Sequence, residues 1–284
     1  MADLWPLPMA SGSAAGKVFS METGRENELR LKSAAKRNLA LLICCQAIGQ
    51  SANTMMFTAT GLSVITFFSN RGLATLPMTM QHLGVMLWVF PAALLMQRQG
   101  RRFGFRVGSV FGMAGASTCA AGLYCASLPV MCLGGIILGY AVASLQMYRF
   151  AAVELVPLDY RSRSISWVTA GGVVAGIIGP AMVQWSYDTL MPIYVGTYLT
   201  MVAVHIAVFT IMSFIDFPPM QESTSAGGTM PSGAPPRSLL EIARQPRYAA
   251  AVIAGMIAFG TMSFLMSASP LAIVGCGLPH SEAH

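Results

Sequence analysis

Charge is what this sequence has least of. Only 10% of its 284 residues are Asp, Glu, Lys or Arg, where soluble domains carry about a quarter. So little charge cannot cover a water-facing surface. With 55% hydrophobic residues and a mean hydropathy of +0.61, the chain reads as membrane-embedded. Other shortages narrow its function. Lysine is absent after Lys36, so no late helix offers a Schiff-base site for retinal. No acidic residue falls near the middle of an apolar run, which argues against a simple carboxylate proton carrier. The first 36 residues contain no apolar core of the kind a cleavable signal peptide needs, so the first span is expected to act as the insertion signal. The six cysteines lie mostly inside apolar runs, as small buried hydrophobes rather than a disulfide or metal framework. His280 and His284 near Cys276 lack zinc-site spacing. No His-rich, Asp-rich or Ser/Lys constellation occurs at a membrane surface. We therefore assign no catalytic residue, metal or cofactor, and no enzymatic activity.

Seven apolar runs are present, near 39–67, 75–97, 104–126, 130–155, 165–186, 192–214 and 248–270, each about the 20 residues a spanning helix needs. The expected fold is all-α, a polytopic membrane bundle of seven transmembrane helices. The seventeen Lys and Arg residues fix its orientation. They precede the first run (Lys17, Arg25, Arg30, Lys32, Lys36, Arg37), follow the second (Arg98, Arg101, Arg102, Arg106), flank the end of the fourth (Arg149, Arg161, Arg163) and follow the sixth (Arg237, Arg244, Arg247). Only Arg71 lies in a loop of the other parity. Positive loops stay cytoplasmic, so the N-terminus is expected inside and the C-terminus outside, in a plasma (inner) membrane. This placement also explains the net charge of +6. It orients the chain and meets anionic lipid rather than nucleic acid. The organisation reads as a cytoplasmic tail 1–37, disordered or lying on the membrane; a six-helix bundle 38–215; a Ser/Gly/Pro-rich cytoplasmic linker 216–246, ending in a short interfacial helix near 237–247; a seventh span 247–275; and an external tail 276–284. Six helices, a long inner linker and the start of another set is the layout of a transporter built from two halves.

In the first run Gln46, Gln50, Asn53 and Thr60 recur on one helical face, which Phe57 shares. Such a face lines a water-filled cavity or bonds to a neighbouring helix, and both readings fit. Glycines form small-residue stripes: Gly104, Gly108, Gly112 and Gly115; Gly135 and Gly139; Gly172, Gly176 and Gly179 before Pro180. These read as close helix packing, or as smooth faces on which helices slide, with Gly176, Gly179 and Pro180 as a bend. Arg149 lies seven residues before the fourth run ends near Val156, and shares a face with Gln146. It reads as a solute or proton-coupling group, or as an inner anchor or gate. His82 and His205 read as packing residues.

Between the second and third runs stands Gln97-Arg98-Gln99-Gly100-Arg101-Arg102, with Ala93 four residues before it. This resembles the loop signature of the major facilitator superfamily, a glycine and an aspartate ahead of an Arg-x-Gly-Arg-Arg core. Ala93 replaces the glycine and Gln97 the aspartate. Gly176-Ile-Ile-Gly179-Pro180 looks like the Gly-Pro motif of its antiporter-type members, one residue short in spacing. The fourth run lacks that family's arginine motif near the outer half. The resemblance implies a transporter moving a small solute of unspecified nature by alternating access, with ion coupling left open. It also implies an inner gate at Gln97, Arg98, Gly100, Arg101 and Arg102, and cavity-lining roles for Gln46, Gln50, Asn53, Thr60, Gln146 and Arg149. Such transporters normally have twelve helices, so a partial or C-terminally truncated chain is expected. The alternatives are a non-transporting remnant or partner subunit and, less favoured, a seven-helix receptor, which the inside N-terminus opposes.

Overall fold

A computed structural model describes the backbone of residues 14–67, 73–157, 160–217 and 245–275, and the side chains of these from residue 33 to residue 265. Seven helices follow in order: α1 Ala14–Phe67, α2 Leu76–Gln99, α3 Arg101–Tyr124, α4 Leu128–Glu154, α5 Arg161–Ser186, α6 Val195–Ser213 and α7 Pro246–Gly275. No strand occurs among the described residues. The all-α bundle of seven helices is thus as the apolar runs predict. The main departure is at the start. From Ala14 to Arg37, expected as a disordered or surface tail, the backbone is helical and continuous with the first span. The segment is rich in Ala, Glu, Lys, Arg and Leu, all strong helix formers, and has no proline to stop it. Most of the expected linker, the interfacial helix up to residue 244 and the external tail 276–284 lie outside the described residues.

Six of the helices are long and apolar enough to cross a membrane. The exception is α3, as long as α2 at 24 residues, but diluted by glycine and begun by Arg101, Arg102 and Arg106. It can afford this because it is an inner helix, wedged between α4 and α6. Around this centre α2 packs on α4, and α5 and α6 on α1. Two apolar clusters fill the interior. One joins Met55, Met56 and Leu62 of α1 to Leu123, Met131 and Tyr198. The other joins Leu42 and Cys45 to Phe105, Tyr148, Val168 and Met212. The outer faces are apolar as well: Trp167, Ile177 and Trp185 on α5 are exposed, as lipid contact requires.

Backbone proximity sets the spacing of α2, α3 and α4. A Cβ built on Gly115 of α3 would lie 2.9 Å from the carbonyl oxygen of Gly134 on α4, and one on Gly134 would lie 2.8 Å from the amide of Cys119. On the other side of α4, Gly139 abuts the backbone of Gly84 and Val85 on α2, and Gly135 abuts Pro77. Without a hydrophobic drive between helices in lipid, such close backbone contact supplies the dispersion energy of association. The link between α2 and α3 is one residue, Gly100, at φ 87° and ψ 159°, which a side chain would strain.

The stripes therefore differ in what they tolerate. Gly115→Val and Gly139→Val are expected to destabilise the bundle by about 1–3 kcal/mol through overpacking, read as thermal unfolding in detergent. A Cβ at Gly176 meets nothing within 4 Å, so Gly176→Ala should leave the unfolding temperature unchanged or raise it. Equal loss at all three positions would refute the packing assignment.

Candidate functional site

Two cavities open along the polar face of α1. The smaller, of about 240 Å³, is walled by Gln46 and Gln50 of α1, Leu145, Gln146 and Arg149 of α4, and Val168, Thr169, Gly172 and Val173 of α5. The larger, of about 580 Å³, is walled by Gln50, Asn53, Thr54 and Phe57 of α1, Gln81, His82, Val85 and Met86 of α2, Val142 and Gln146 of α4, and Met256, Phe259 and Ser263 of α7. Gln50 and Gln146 line both, so the two cavities adjoin at these side chains. The larger falls within the roughly 300–1,000 Å³ typical of small-molecule sites.

Thr60 departs from the expected cavity face. It is fully buried, its hydroxyl is 3.1 Å from the Tyr198 hydroxyl, and Ser63 lies 3.4 Å from the same oxygen. The α1 face that meets a cavity at Gln46 to Asn53 meets α6 one turn and more further on. There the polar groups satisfy one another, so at Thr60 the helix-bonding alternative is the one realised.

The cavity wall itself is less satisfied. The Gln81 amide nitrogen donates to Asn53 Oδ1 at 3.3 Å. Gln81 is 2% exposed, and its Oε1 has no hydrogen-bond partner among the described residues; Gln46 Oε1 is buried in the same condition. His82 Nδ1 lies 2.9 Å from the Met78 carbonyl oxygen, and its Nε2 lies 3.4 Å from Ser263 Oγ of α7. Its ring stands edge-on to Phe57 and Phe259, at centroid distances of 5.9 and 5.8 Å. Arg149 hydrogen-bonds the Gln146 carbonyl and side-chain oxygens, each at 3.1 Å, and its guanidinium lies over the Phe150 ring. It is exposed on the cavity side, and its pairing runs along α4 rather than to Glu154. His205 is buried against Gly112. Neither cavity is walled by an Asp or Glu, and no cluster among the described residues could hold a metal ion.

The loop arginines fasten one end of the bundle. Arg101 forks onto Glu154 at the end of α4, with Nη2 to Oε1 at 2.8 Å and Nε to both carboxylate oxygens at 3.2 Å. Arg102 donates to Asp216 Oδ1 at 3.2 Å and to the Ser213 carbonyl beyond α6. Asn38 of α1 donates to the Asp216 carbonyl at 2.8 Å, and Arg37 lies 3.7 Å from its carboxylate. Gln97 and Arg98 are exposed. In α5 Gly179 abuts Thr54 and Ser51 of α1, Gly176 faces open space, and the helix runs unbroken through Pro180. Sequence reasoning passed over Gln81, Thr169 and the α7 residues of the larger cavity, and over Glu154 and Asp216 as acceptors. A glutamine in the second turn of α2, inside an apolar run, was the available signal for the first. Acidic residues at the same end as the basic loops were the signal for the last two.

Comparison with known proteins agrees with this geometry. The sequence profile described as Major Facilitator Superfamily matches residues 39–283. The riboflavin transporter RfnT of Brucella anthropi is 35% identical over 253 residues, covering 89% of this chain and 62% of that protein. The crystal structure of a D-xylose-proton symporter superimposes with a TM-score of 0.60 at 12% identity, over 87% of this chain and 63% of that one, a likeness of fold. The chain spans less than two thirds of the length of each.

The cavity assignment is open to chemical mapping. In a cysteine-free background, cysteine at Gln46, Gln50 or Asn53 is expected to react with a water-soluble thiol reagent, and cysteine at Thr60 or Met55 to stay inert. Inertness at the first three positions would leave interhelical bonding as their role.

Proposed function

Because the chain belongs to the major facilitator superfamily and is an integral multi-pass membrane protein, we propose that it supplies the solute-binding helices of a secondary transporter. The solute is small, flat and uncharged, of the riboflavin kind, and it crosses by alternating access. The observation that carries this reading is the pair of adjoining cavities, which together present the amides of Gln46, Gln50, Asn53, Gln81 and Gln146 and, in the larger, the apolar walls of Phe57, Met86, Met256 and Phe259. Carboxamides both donate and accept hydrogen bonds, which suits a neutral heterocycle with mixed polar edges. Aromatic and methionine walls suit its flat faces. The resemblance to a riboflavin transporter points the same way. No step of this function is a bond-making reaction. The distribution of Lys and Arg supports a plasma-membrane protein with a cytoplasmic N-terminus, and a reporter fused at residue 30 should signal from the cytoplasm.

The test is a chimera in which this chain replaces the matching segment of the Brucella anthropi protein, in a bacterium that neither makes nor imports riboflavin. Growth at low external riboflavin and saturable uptake are expected. A chimera that reaches the membrane normally yet takes up no riboflavin overturns the substrate assignment.

The Arg101–Glu154 fork joins the α2–α3 loop to the end of α4, and it supports the gating role proposed for Arg98, Arg101 and Arg102. Guanidinium forks exchange between carboxylates and helix C-terminal carbonyls at low cost. In that chimera Arg101→Met is expected to lower the maximal uptake rate by roughly tenfold, the weight of one charged fork, with little change in the half-saturating concentration. Loss of affinity at an unchanged rate would move Arg101 from gate to solute site.

A further inference from the structure

We infer that the two adjoining cavities divide one solute between them: Gln81, held by Asn53, accepts an N–H from the edge of a flat heteroaromatic ring, and Gln46 accepts from a hydroxylated chain attached to that ring. This deepens the transport reading and rests on it.

The two halves of the space differ in chemistry. Around the larger one, Phe57, Met86, Met256 and Phe259 present apolar faces. His82 holds two of these rings in place, edge-on to both and anchored to Met78 and Ser263. Such walls favour a flat ring. At its polar wall, Gln81 spends an N–H on Asn53 and is left with a buried, unpartnered Oε1. A buried acceptor without a donor is costly, and an N–H on the solute would satisfy it. A ring N–H at the edge of a lactam or imide is such a donor.

The smaller cavity has no aromatic wall. It presents Gln46, Gln50, Gln146, Arg149 and Thr169. Gln46 Oε1 is likewise buried without a partner. A space walled by amides, one guanidinium and one hydroxyl fits a hydroxylated chain and would leave a ring system without stacking partners. Because Gln50 and Gln146 belong to both spaces, the chain can leave the ring at that junction.

The test uses the 284-residue protein in lipid nanodiscs and the fluorescence of two probes. Riboflavin carries ring and chain. Lumichrome keeps the imide edge and lacks the chain. Gln81→Met preserves side-chain volume and removes both hydrogen-bonding groups, and is expected to weaken both probes roughly tenfold. Gln46→Met is expected to weaken riboflavin by a similar factor and to change lumichrome by less than about twofold. Misfolding would depress both probes in both variants, so the split itself is the signature, with helicity as the check on folding. An unchanged affinity in Gln81→Met, or equal losses for both probes in Gln46→Met, overturns the division while leaving the transport reading in place. A wild-type chain of native helicity that binds neither probe overturns the riboflavin-kind substrate assignment on which the division rests.

Discussion

The close approach of α4 to α2 and α3 is the constraint on which the rest of this structure depends. In hydrocarbon, helices gain nothing by hiding apolar side chains from lipid, so association rests on backbone proximity and interhelical hydrogen bonds. Glycine supplies the proximity on both sides of one helix: Gly134 meets α3, and Gly135 and Gly139 meet α2. With α4 held this way, its remaining face is committed to α1 and α5, where Leu145 packs and Gln146 and Arg149 reach the cavities. Trp88 of α2 reinforces the contact by donating to the Ile136 carbonyl of α4 at 3.1 Å, and Tyr140 stacks on Phe111 of α3.

Polar groups at membrane depth must find partners or water, and the two ends of the α1 polar face resolve this differently. Thr60 and Ser63 meet Tyr198, and the set closes on itself. Gln46 and Gln81 each keep a buried oxygen without a partner. The first arrangement stabilises the bundle. The second is unfavourable in a dry interior and more tolerable beside a solvated or occupied space, and both glutamines, one on α1 and one on α2, belong to cavity walls.

Much of the fold was legible because a bilayer imposes one length scale and one charge rule. Runs of about 20 apolar residues and the alternation of basic loops are readable without any neighbour in view, and apart from the start of α1, which lies at Ala14 rather than near 39, the spans fall within a few residues of the helices. Less of the site was legible. Gln46, Gln50 and Asn53 announce themselves as amides in an apolar run, yet the same pattern enrolled Thr60, because helical spacing names a face and not what that face meets. Gln81 was missed since a single glutamine has no periodicity, and its meaning comes from Asn53 across a helix interface. Ser263 was invisible for the same reason. Glu154 and Asp216 looked like ordinary helix-end acids until the bundle brought Arg101 and Arg102 against them.

One helix carries both kinds of site. Gln146 lies on the cavity and Glu154 ends in the Arg101 fork, eight residues later on the same α4, a rise of roughly 12 Å. Arg149 stands between them, bonded back to Gln146 rather than forward to Glu154. A helix clamped on two sides by backbone contact moves as a unit, so a tilt of α4 that reshapes the cavity also shifts its end against Arg101. Reciprocity follows from thermodynamics: whatever affinity the fork has for one tilt is returned as a preference of the cavity for one occupancy. Asp216 cannot share this role. It fastens Arg102 and Arg37 through an exposed carboxylate and binds Asn38 through its backbone, a junction of α1, α3 and α6 that leaves α4 free. The charged end of the bundle thus holds two separate junctions, one that ties α1, α3 and α6 together and one that joins the start of α3 to the end of α4.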